Sequence, residues 1–299
     1  MWPTVTLSYQ KEQVMNRKDF IRKTILGGGA IITGTTLAKQ VSESKEEAVG
    51  FNHIQNTNSK IMDNVILHKA NTRGNANHGW LQSYHTFSFA NYYNPERMNF
   101  GVLRVLNDDT VAAGMGFGKH PHQNMEIISI PLEGDLEDQD SMGNKTVIKN
   151  GDIQVMSAGT GVQHSEYNKN QDKEVKFLQI WVIPNKQNVA PRYDQITLHL
   201  EERHNKLQQI LSPNADDAGV WIHQDAWFHL GKFDKEVATD YHFKKQGNGL
   251  YVFVLNGDVT VNGQSLNKRD GFGIWNTDKV SIKADSEAEF LLMEVPMNL

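Results

Sequence analysis

Cysteine is absent from all 299 residues of this chain. Disulfides, thiolate metal ligands, thiol nucleophiles and a lipidated cysteine anchor are therefore excluded together. Long apolar runs are also missing: the uncharged stretch over residues 24–38 is too short and too polar to span a bilayer. With 38% hydrophobic and 22% charged residues, the composition is that of an ordinary globular protein.

Positive charge is scarce beyond the N-terminal segment. Residues 1–60 hold eight Lys or Arg against five Asp or Glu, which leaves 22 basic against 30 acidic residues for the remainder. An acidic body lacks the basic footprint that a nucleic-acid backbone requires, so we expect no direct nucleic-acid partner. The length allows one large domain or two smaller ones.

The N-terminal segment is similar to a twin-arginine export signal. Residues 16–23 are basic, with Arg17-Lys18 where the usual arginine pair stands, and the mildly apolar run 24–38 follows. We therefore predict that residues 1–60 are a leader and a disordered linker, and that the protein is exported to the periplasm without a remaining membrane anchor. A cytoplasmic protein with a basic tail is the alternative.

Two short motifs carry most of the metal-binding potential of the sequence. His120 and His122 are separated by one residue, and so are His164 and Glu166. Side chains two positions apart point to the same face of a β-strand, so two neighbouring strands could close these pairs around one ion. Because Pro121 has no N–H to donate, the first strand is expected at a sheet edge, a bulge or a strand start.

The residue types indicate which ions such a site would take. Neutral imidazoles with one carboxylate suit borderline divalent ions better than calcium or magnesium, which prefer oxygen ligands. Four protein ligands on an octahedral ion leave two positions for water, dioxygen or a chelating substrate, which is typical of a reactive site. Glu126 stays open as a ligand, a hydrogen-bond partner of a ligand or a salt-bridge residue.

Turn signals every eight to twelve residues separate short β-prone runs in the first half, which predicts a β-sandwich or barrel. The predicted strands include Ile127–Leu132, Leu136–Gln139, Thr146–Ile148, Ile153–Met156 and Lys176–Ile183. Residues 251–258 and 270–274 echo 127–135 and 150–154, which indicates an internal duplication of a small barrel. A short helix is predicted between the copies, over Leu207 to Leu211.

The second copy lacks the ligand pairs. A lone histidine, His242, stands where the first copy has two, and no His-x-Glu follows Gly271. We therefore predict one metal site per chain, in an N-terminal barrel over residues 61–185. A C-terminal barrel over residues 186–299 is predicted to pack against it or to shield the substrate.

These motifs, together with the turns between them, resemble those of the pirin family. The similarity runs from about Ile66 to Val295. The segments that carry it are His120-Pro121-His122 with Glu126, residues 140–144, 151–154 and 158–161, His164-Ser165-Glu166, and upstream residues 77–80 and 85–93. The resemblance implies an all-β bicupin: two antiparallel β-barrels packed face to face, with few short helices.

The resemblance also implies a cofactor and an activity. The ligands would be His120, His122, His164 and Glu166, and the preferred ion is Fe(II), with Ni, Cu, Mn, Zn and Co as alternatives. Some bacterial pirins are similar to quercetin 2,3-dioxygenase, which opens a flavonol with dioxygen and releases carbon monoxide. A monomer acting on a small aromatic, flavonol-like substrate and O2 is therefore expected.

A catalytic role is predicted for one of these residues. Glu166 would be the anionic ligand and is the expected acceptor of the 3-hydroxyl proton. The alternative is a non-catalytic, iron-dependent redox-sensing regulator that binds a protein partner. Oxygen uptake with quercetin separates the two.

Overall fold

The structure is a computed structural model that describes residues 64–298, so the predicted leader lies outside the described residues. No helix in this range is long and apolar enough to cross a membrane. Helix is limited here to two 3-10 turns, Ala70–Thr72 and Leu200–Arg203. The strands are β1 (Asn64–His68), β2 (Gly74–Asn77), β3 (Leu81–His85), β4 (Leu103–Val111), β5 (Gly116–His122), β6 (Glu126–Glu133), β7 (Asp135–Asp140), β8 (Lys145–Lys149), β9 (Asp152–Ser157), β10 (Val162–Asn168), β11 (Val175–Val182), β12 (Arg192–Thr197), β13 (Leu207–Ser212), β14 (Val220–Trp221), β15 (Trp227–Phe233), β16 (Ala238–His242), β17 (Asn248–Asn256), β18 (Val259–Val261), β19 (Gln264–Leu266), β20 (Gly271–Trp275), β21 (Lys279–Ala284) and β22 (Ala288–Pro296).

Each half of the described chain pairs a seven-stranded sheet with a four-stranded one. The N-terminal half has the orders β12-β9-β6-β11-β4-β3-β2 and β5-β10-β7-β8, and the C-terminal half has β1-β20-β17-β22-β15-β13-β14 and β16-β21-β18-β19. The predicted all-β bicupin fold is confirmed, with one correction. The two sheets of each half form a cupin-type sandwich and not a closed barrel, because no hydrogen-bonded strand pair among the described residues joins them.

The two seven-stranded sheets pack face to face over one apolar cluster. Ile128 and Leu178 enter it from the N-terminal sheet, and Phe253 and Leu291 enter it from the C-terminal sheet. Each such side chain is fully buried, which stabilises the folded state by about 1.5–3 kcal/mol per residue before entropic costs. This cluster holds the two halves face to face, as the resemblance to the pirin family implies.

Two strands cross between the halves. β1 pairs with β20 in the C-terminal sheet, Ile66 lying opposite Gly273, although it precedes the N-terminal half in sequence. β12 pairs with β9 in the N-terminal sheet, although it follows the predicted boundary at residue 185. Sheet membership therefore differs from the predicted division at 61–185 and 186–299, because each half completes its large sheet with a strand from beyond that division.

The predicted helix over Leu207 to Leu211 is wrong. These residues lie in β13, which pairs with β15, and Leu207 lies opposite Gly231. A short apolar run cannot be assigned to helix or strand from periodicity alone. These residues form a strand because the edge of β15 offers hydrogen-bond partners for their backbone, which an isolated five-residue helix would lack.

The interiors of the two sandwiches differ in chemistry. In the C-terminal half, registered residues of β22, β17 and β20 are apolar: Leu292 lies opposite Val252, and Val252 opposite Phe272. All three belong to a buried apolar cluster that fills this interior. In the N-terminal half a row of polar side chains crosses the seven-stranded sheet instead, through His85, Asn107, Gln179, Ser129, Gln154 and Gln195. We call it the polar row.

Candidate metal centre

The two sequence motifs lie on neighbouring strands, β5 and β10, of the N-terminal four-stranded sheet. His120 lies directly opposite His164, and His122 lies opposite Val162. β5 is the edge strand of this sheet, as the proline at position 121 predicts. A β-bulge between His164 and Glu166 shifts the register, so the carboxylate lies opposite Phe117 and not opposite an imidazole.

Three imidazoles converge. The ring centroids of His120, His122 and His164 are 4.5–4.9 Å apart, and one nitrogen of each ring lies within 4.8 Å of the other two. The Nε2 atoms of His122 and His164 are buried and have no hydrogen-bond partner among the described residues. The Nδ1–H of His120 donates to the carbonyl of Gly118 at 2.8 Å, which leaves its Nε2 as an acceptor. Buried nitrogens without partners fit a metal ion as their missing partner.

Electrostatics keep two of these rings neutral. Burial, and then the neighbouring His164 and His120, lower the pKa of His122 to about 3. Burial and the proximity of His164 also lower the pKa of His120. A neutral imidazole is the form that binds a metal, so these two rings are ready to act as ligands near neutral pH.

Glu166 belongs to a second, overlapping group. One of its carboxylate oxygens lies within 4.8 Å of a ligand atom of Asp138 and of His164, whereas the group of three imidazoles does not include it. Ser129 Oγ donates to its Oε1 at 3.3 Å, and Gln179 Nε2 donates to its Oε2 at 2.7 Å. That all four predicted ligands share one ion stays a prediction. The structure places Glu166 beside His164, and hydrogen bonds from Ser129 and Gln179 of the polar row fix its orientation.

Asp138 was not predicted from the sequence. It lies on β7, opposite Glu166 on β10, and its Oδ2 accepts from the Nδ1–H of His164 at 2.8 Å. Burial lowers the pKa of His164, but the hydrogen bond to Asp138 and the nearby carboxylates outweigh this effect and raise it. A carboxylate on the second ring nitrogen fixes the tautomer that presents Nε2 to a metal. The sequence feature that could have indicated this role is the pair Asp138 and Asp140, two acidic residues whose side chains share one face of a strand.

Gln179 and Trp181 were missed as well. Both lie on β11, in an apolar run where a single glutamine stands out. Trp181 Nε1 donates to Gln179 Oε1 at 3.3 Å, and the indole ring contacts His122 with centroids 4.9 Å apart. Phe89 packs edge-on against the same indole. These contacts form an aromatic wall beside the imidazole group.

Glu126 lies on the opposite face of its strand. It alternates with Ile127, so it points with Ile128 toward the interface between the halves and not toward the imidazoles. Ser157 Oγ donates to its Oε2 at 2.6 Å. Burial raises the pKa of Glu126 to about 7, although this hydrogen bond lowers it in part. Of the three roles left open for Glu126, the structure supports neither the ligand nor the partner of a ligand.

The lone histidine of the second copy is a surface residue. His242 is exposed at the end of β16, opposite Lys279, and its neighbour Tyr241 fills the interior position. His229 is buried in this half, but its ring packs edge-on against Tyr241 and no group of three ligand atoms forms around it among the described residues. The candidate metal centre is therefore confined to the N-terminal half.

Fold and site together define a class: two-domain cupins in which one half carries a histidine-rich site for a single divalent metal and the other half is filled with apolar side chains. Comparison with known sequences narrows the class. The family described as Pirin matches residues 67–182, and the one described as quercetinase C-terminal cupin domain matches residues 209–295. The chain belongs to the pirin family.

Relatives with names and structures lie within the same family. The chain is 44% identical over 232 residues to quercetin 2,3-dioxygenase of Escherichia coli K12, covering 78% of this chain and 99% of the relative. It is 40% identical over 222 residues to a pirin-like protein of Caulobacter vibrioides, covering 74% and 95%. A crystal structure of a bacterial pirin from Escherichia coli in complex with nickel(II) matches with a TM-score of 0.74 and 44% identity, over 78% of this chain and 99% of that one.

Proposed function

We propose that this protein is a metal-dependent dioxygenase that opens flavonols such as quercetin at the 2,3-bond with O2 and releases carbon monoxide. The observation that carries the proposal is the group of three converging imidazoles with the buried Glu166 beside it, in a chain that spans nearly all of a quercetin 2,3-dioxygenase. His120, His122 and His164 would hold one divalent ion. We propose Fe(II), with Ni, Cu, Mn, Zn and Co as ions that the same donors accept.

The ion would supply one kind of chemistry: a Lewis acid that lowers the pKa of a flavonol 3-hydroxyl chelated together with the 4-carbonyl. The protein supplies the rest. Glu166 is the one carboxylate among the four predicted ligands, and it accepts the 3-hydroxyl proton at a carboxylate oxygen. Ser129 and Gln179 each donate a hydrogen bond to one oxygen of that carboxylate, which restrains its rotation as it takes the proton. Glu166 and His164 are each 1% exposed, so little water reaches the carboxylate that takes the proton.

The aromatic wall offers a surface for the substrate. Trp181 lies next to His122 and Phe89 packs on its indole, and these rings suit a planar polyphenol, because aromatic pairs favour stacked and edge-on contacts. In the reaction the 2,3- and 3,4-bonds of the flavonol break. Carbon 3 leaves with its own oxygen as carbon monoxide, and both atoms of O2 remain in the ring-opened product.

Elemental analysis of the purified full chain, followed by anaerobic titration with quercetin, tests the proposal. We expect one divalent ion per chain, a shift of the quercetin absorption band on binding, and consumption of one O2 with release of one CO per flavonol once air is admitted. His122→Ala is the control and should bind little metal. A metal-loaded protein that consumes no O2 with quercetin would refute the proposal, and metal-dependent capture of a protein partner would then favour the regulatory alternative.

A further inference from the structure

A chain of hydrogen bonds reaches Glu166 from the large sheet. The indole N–H of Trp181 donates to Gln179 Oε1 at 3.3 Å, and Gln179 Nε2 donates to Glu166 Oε2 at 2.7 Å. An indole N–H can only donate, so it selects the carbonyl end of the Gln179 amide. The NH2 end is thereby directed at the carboxylate. The amide has one orientation in which both of its ends are satisfied.

The registers show why Gln179 can do this. It lies on β11, opposite Asn107 on one side and Ser129 on the other, so it stands in the middle of the polar row. Glu166 reaches it from β10, a strand of the facing sheet. Glu166 is 1% exposed, and a buried carboxylate oxygen without a donor is costly. The amide of Gln179 therefore supplies the donor that holds Glu166 Oε2 in place across the sandwich.

We infer that Gln179 is a positioning residue for Glu166, and that Trp181 acts through it by fixing the direction of its amide. This inference rests on the proposed function in one respect, because it takes Glu166 to be directed at the bound ion. It goes further in assigning the orientation of that carboxylate to a two-residue relay on β11. Neither residue needs to touch the ion.

The test measures metal affinity of the full chain, freed of metal by chelation and titrated with Ni²⁺ and Co²⁺. Gln179→Met keeps the side-chain length and removes the donor. We expect it to weaken metal binding roughly 10- to 100-fold, as the loss of a hydrogen-bond partner of a metal ligand does. Trp181→Phe keeps the aromatic contact with His122 and frees the amide to flip, so a smaller loss is expected. The double variant should bind no more weakly than Gln179→Met alone, because the indole acts only through the amide.

Two readouts separate positioning from general packing. Gln154→Met is the matched control: Gln154 is a buried glutamine of the same polar row, and no hydrogen bond joins it to Glu166 among the described residues. Its affinity for Ni²⁺ should equal that of the wild type. The visible absorption of the bound Co²⁺ should change in Gln179→Met and not in Gln154→Met, since only Gln179→Met removes a hydrogen bond that orients Glu166.

Some outcomes would overturn the inference. Metal affinity of Gln179→Met equal to that of the wild type would refute the relay. So would an equal loss of affinity in Gln154→Met, or losses that multiply in the double variant. A wild-type protein that takes up no divalent ion would instead defeat the proposed function. Should Gln179→Met fail to fold, as judged by its urea unfolding curve, Trp181→Phe and its unchanged or altered Co²⁺ spectrum still decide the question.

Discussion

Replacing Asp138 measures how much a buried carboxylate contributes to the metal centre through His164. The Asp138 carboxylate accepts from His164 Nδ1 at 2.8 Å, with both side chains 1% exposed. Hydrogen bonds to charged groups contribute about 1.5–3 kcal/mol, and charge assistance makes them roughly twice as strong as neutral ones. Asp138→Asn keeps an acceptor but loses the charge, so we expect a loss of about 1 kcal/mol, or roughly 5-fold in metal affinity.

Asp138→Ala removes the acceptor altogether. The Nδ1–H of His164 would then be buried without a partner, and we expect a loss of roughly 10- to 100-fold. The assay is competition for Ni²⁺ against a coloured chelator, with urea unfolding of the metal-free form as a check on folding. Asp135→Asn, the same substitution three residues earlier on the same strand, is the matched control and should leave the affinity unchanged.

Two results would contradict this reasoning. Wild-type affinity in Asp138→Ala would show that the tautomer of His164 needs no carboxylate. A loss as complete as that of His164→Ala would show that Asp138 is itself a ligand, which the second group of ligand atoms around Glu166 would then explain.

Three further expectations follow from the geometry. Glu166→Gln should lower turnover of quercetin by about 10²- to 10⁴-fold and reduce metal content, because an amide can neither take the proton nor accept from both Ser129 and Gln179. Leu292→Ala in the C-terminal interior should cost about 2–5 kcal/mol in urea unfolding and leave Ni²⁺ affinity unchanged. Glu126→Gln should flatten the pH dependence of stability: burial raises the pKa of Glu126 from 4.5 to about 7, so the folded wild type holds a proton that the unfolded chain releases, and its unfolding free energy falls by up to about 3 kcal/mol between these pH values.

Each of these has a result that would count against it. Full turnover with full metal content in Glu166→Gln would reject Glu166 as the proton acceptor. A drop in metal affinity in Leu292→Ala would mean that the C-terminal interior is coupled to the metal centre. Parallel stability curves for wild type and Glu126→Gln between pH 5 and pH 8 would mean that Glu126 titrates normally in the folded protein.

The sequence was sufficient for the elements whose signals are local. Alternating apolar residues and turn residues marked β6 to β9, because both signals lie within a few residues of each strand. Pro121 indicated an edge strand, because proline has no N–H to donate to a neighbouring strand. His120 could be paired with His122 in advance, and His164 with Glu166, since side chains two apart share a face whatever the sheet around them. The absence of ligands from the second copy was visible for the same reason.

Contacts between distant strands could not be read in this way. Asp138, Gln179 and Trp181 acquire their roles only when β7, β10 and β11 are brought together across the sandwich. β1 and β12 cross between halves because each large sheet has an edge that a strand from elsewhere completes. The run from Leu207 is a strand because β15 offers it a partner.

By itself, then, the sequence determined the all-β duplication, the two ligand pairs and the family, since these depend on residue type and short spacing. The tertiary structure decided which groups hydrogen-bond to those ligands: Asp138 accepts from His164, and the amide of Gln179 donates to Glu166. It also decided that Glu126 points toward the other half. Such partners come from strands far apart in the chain, and strand register, which packing of both sheets sets, selects them.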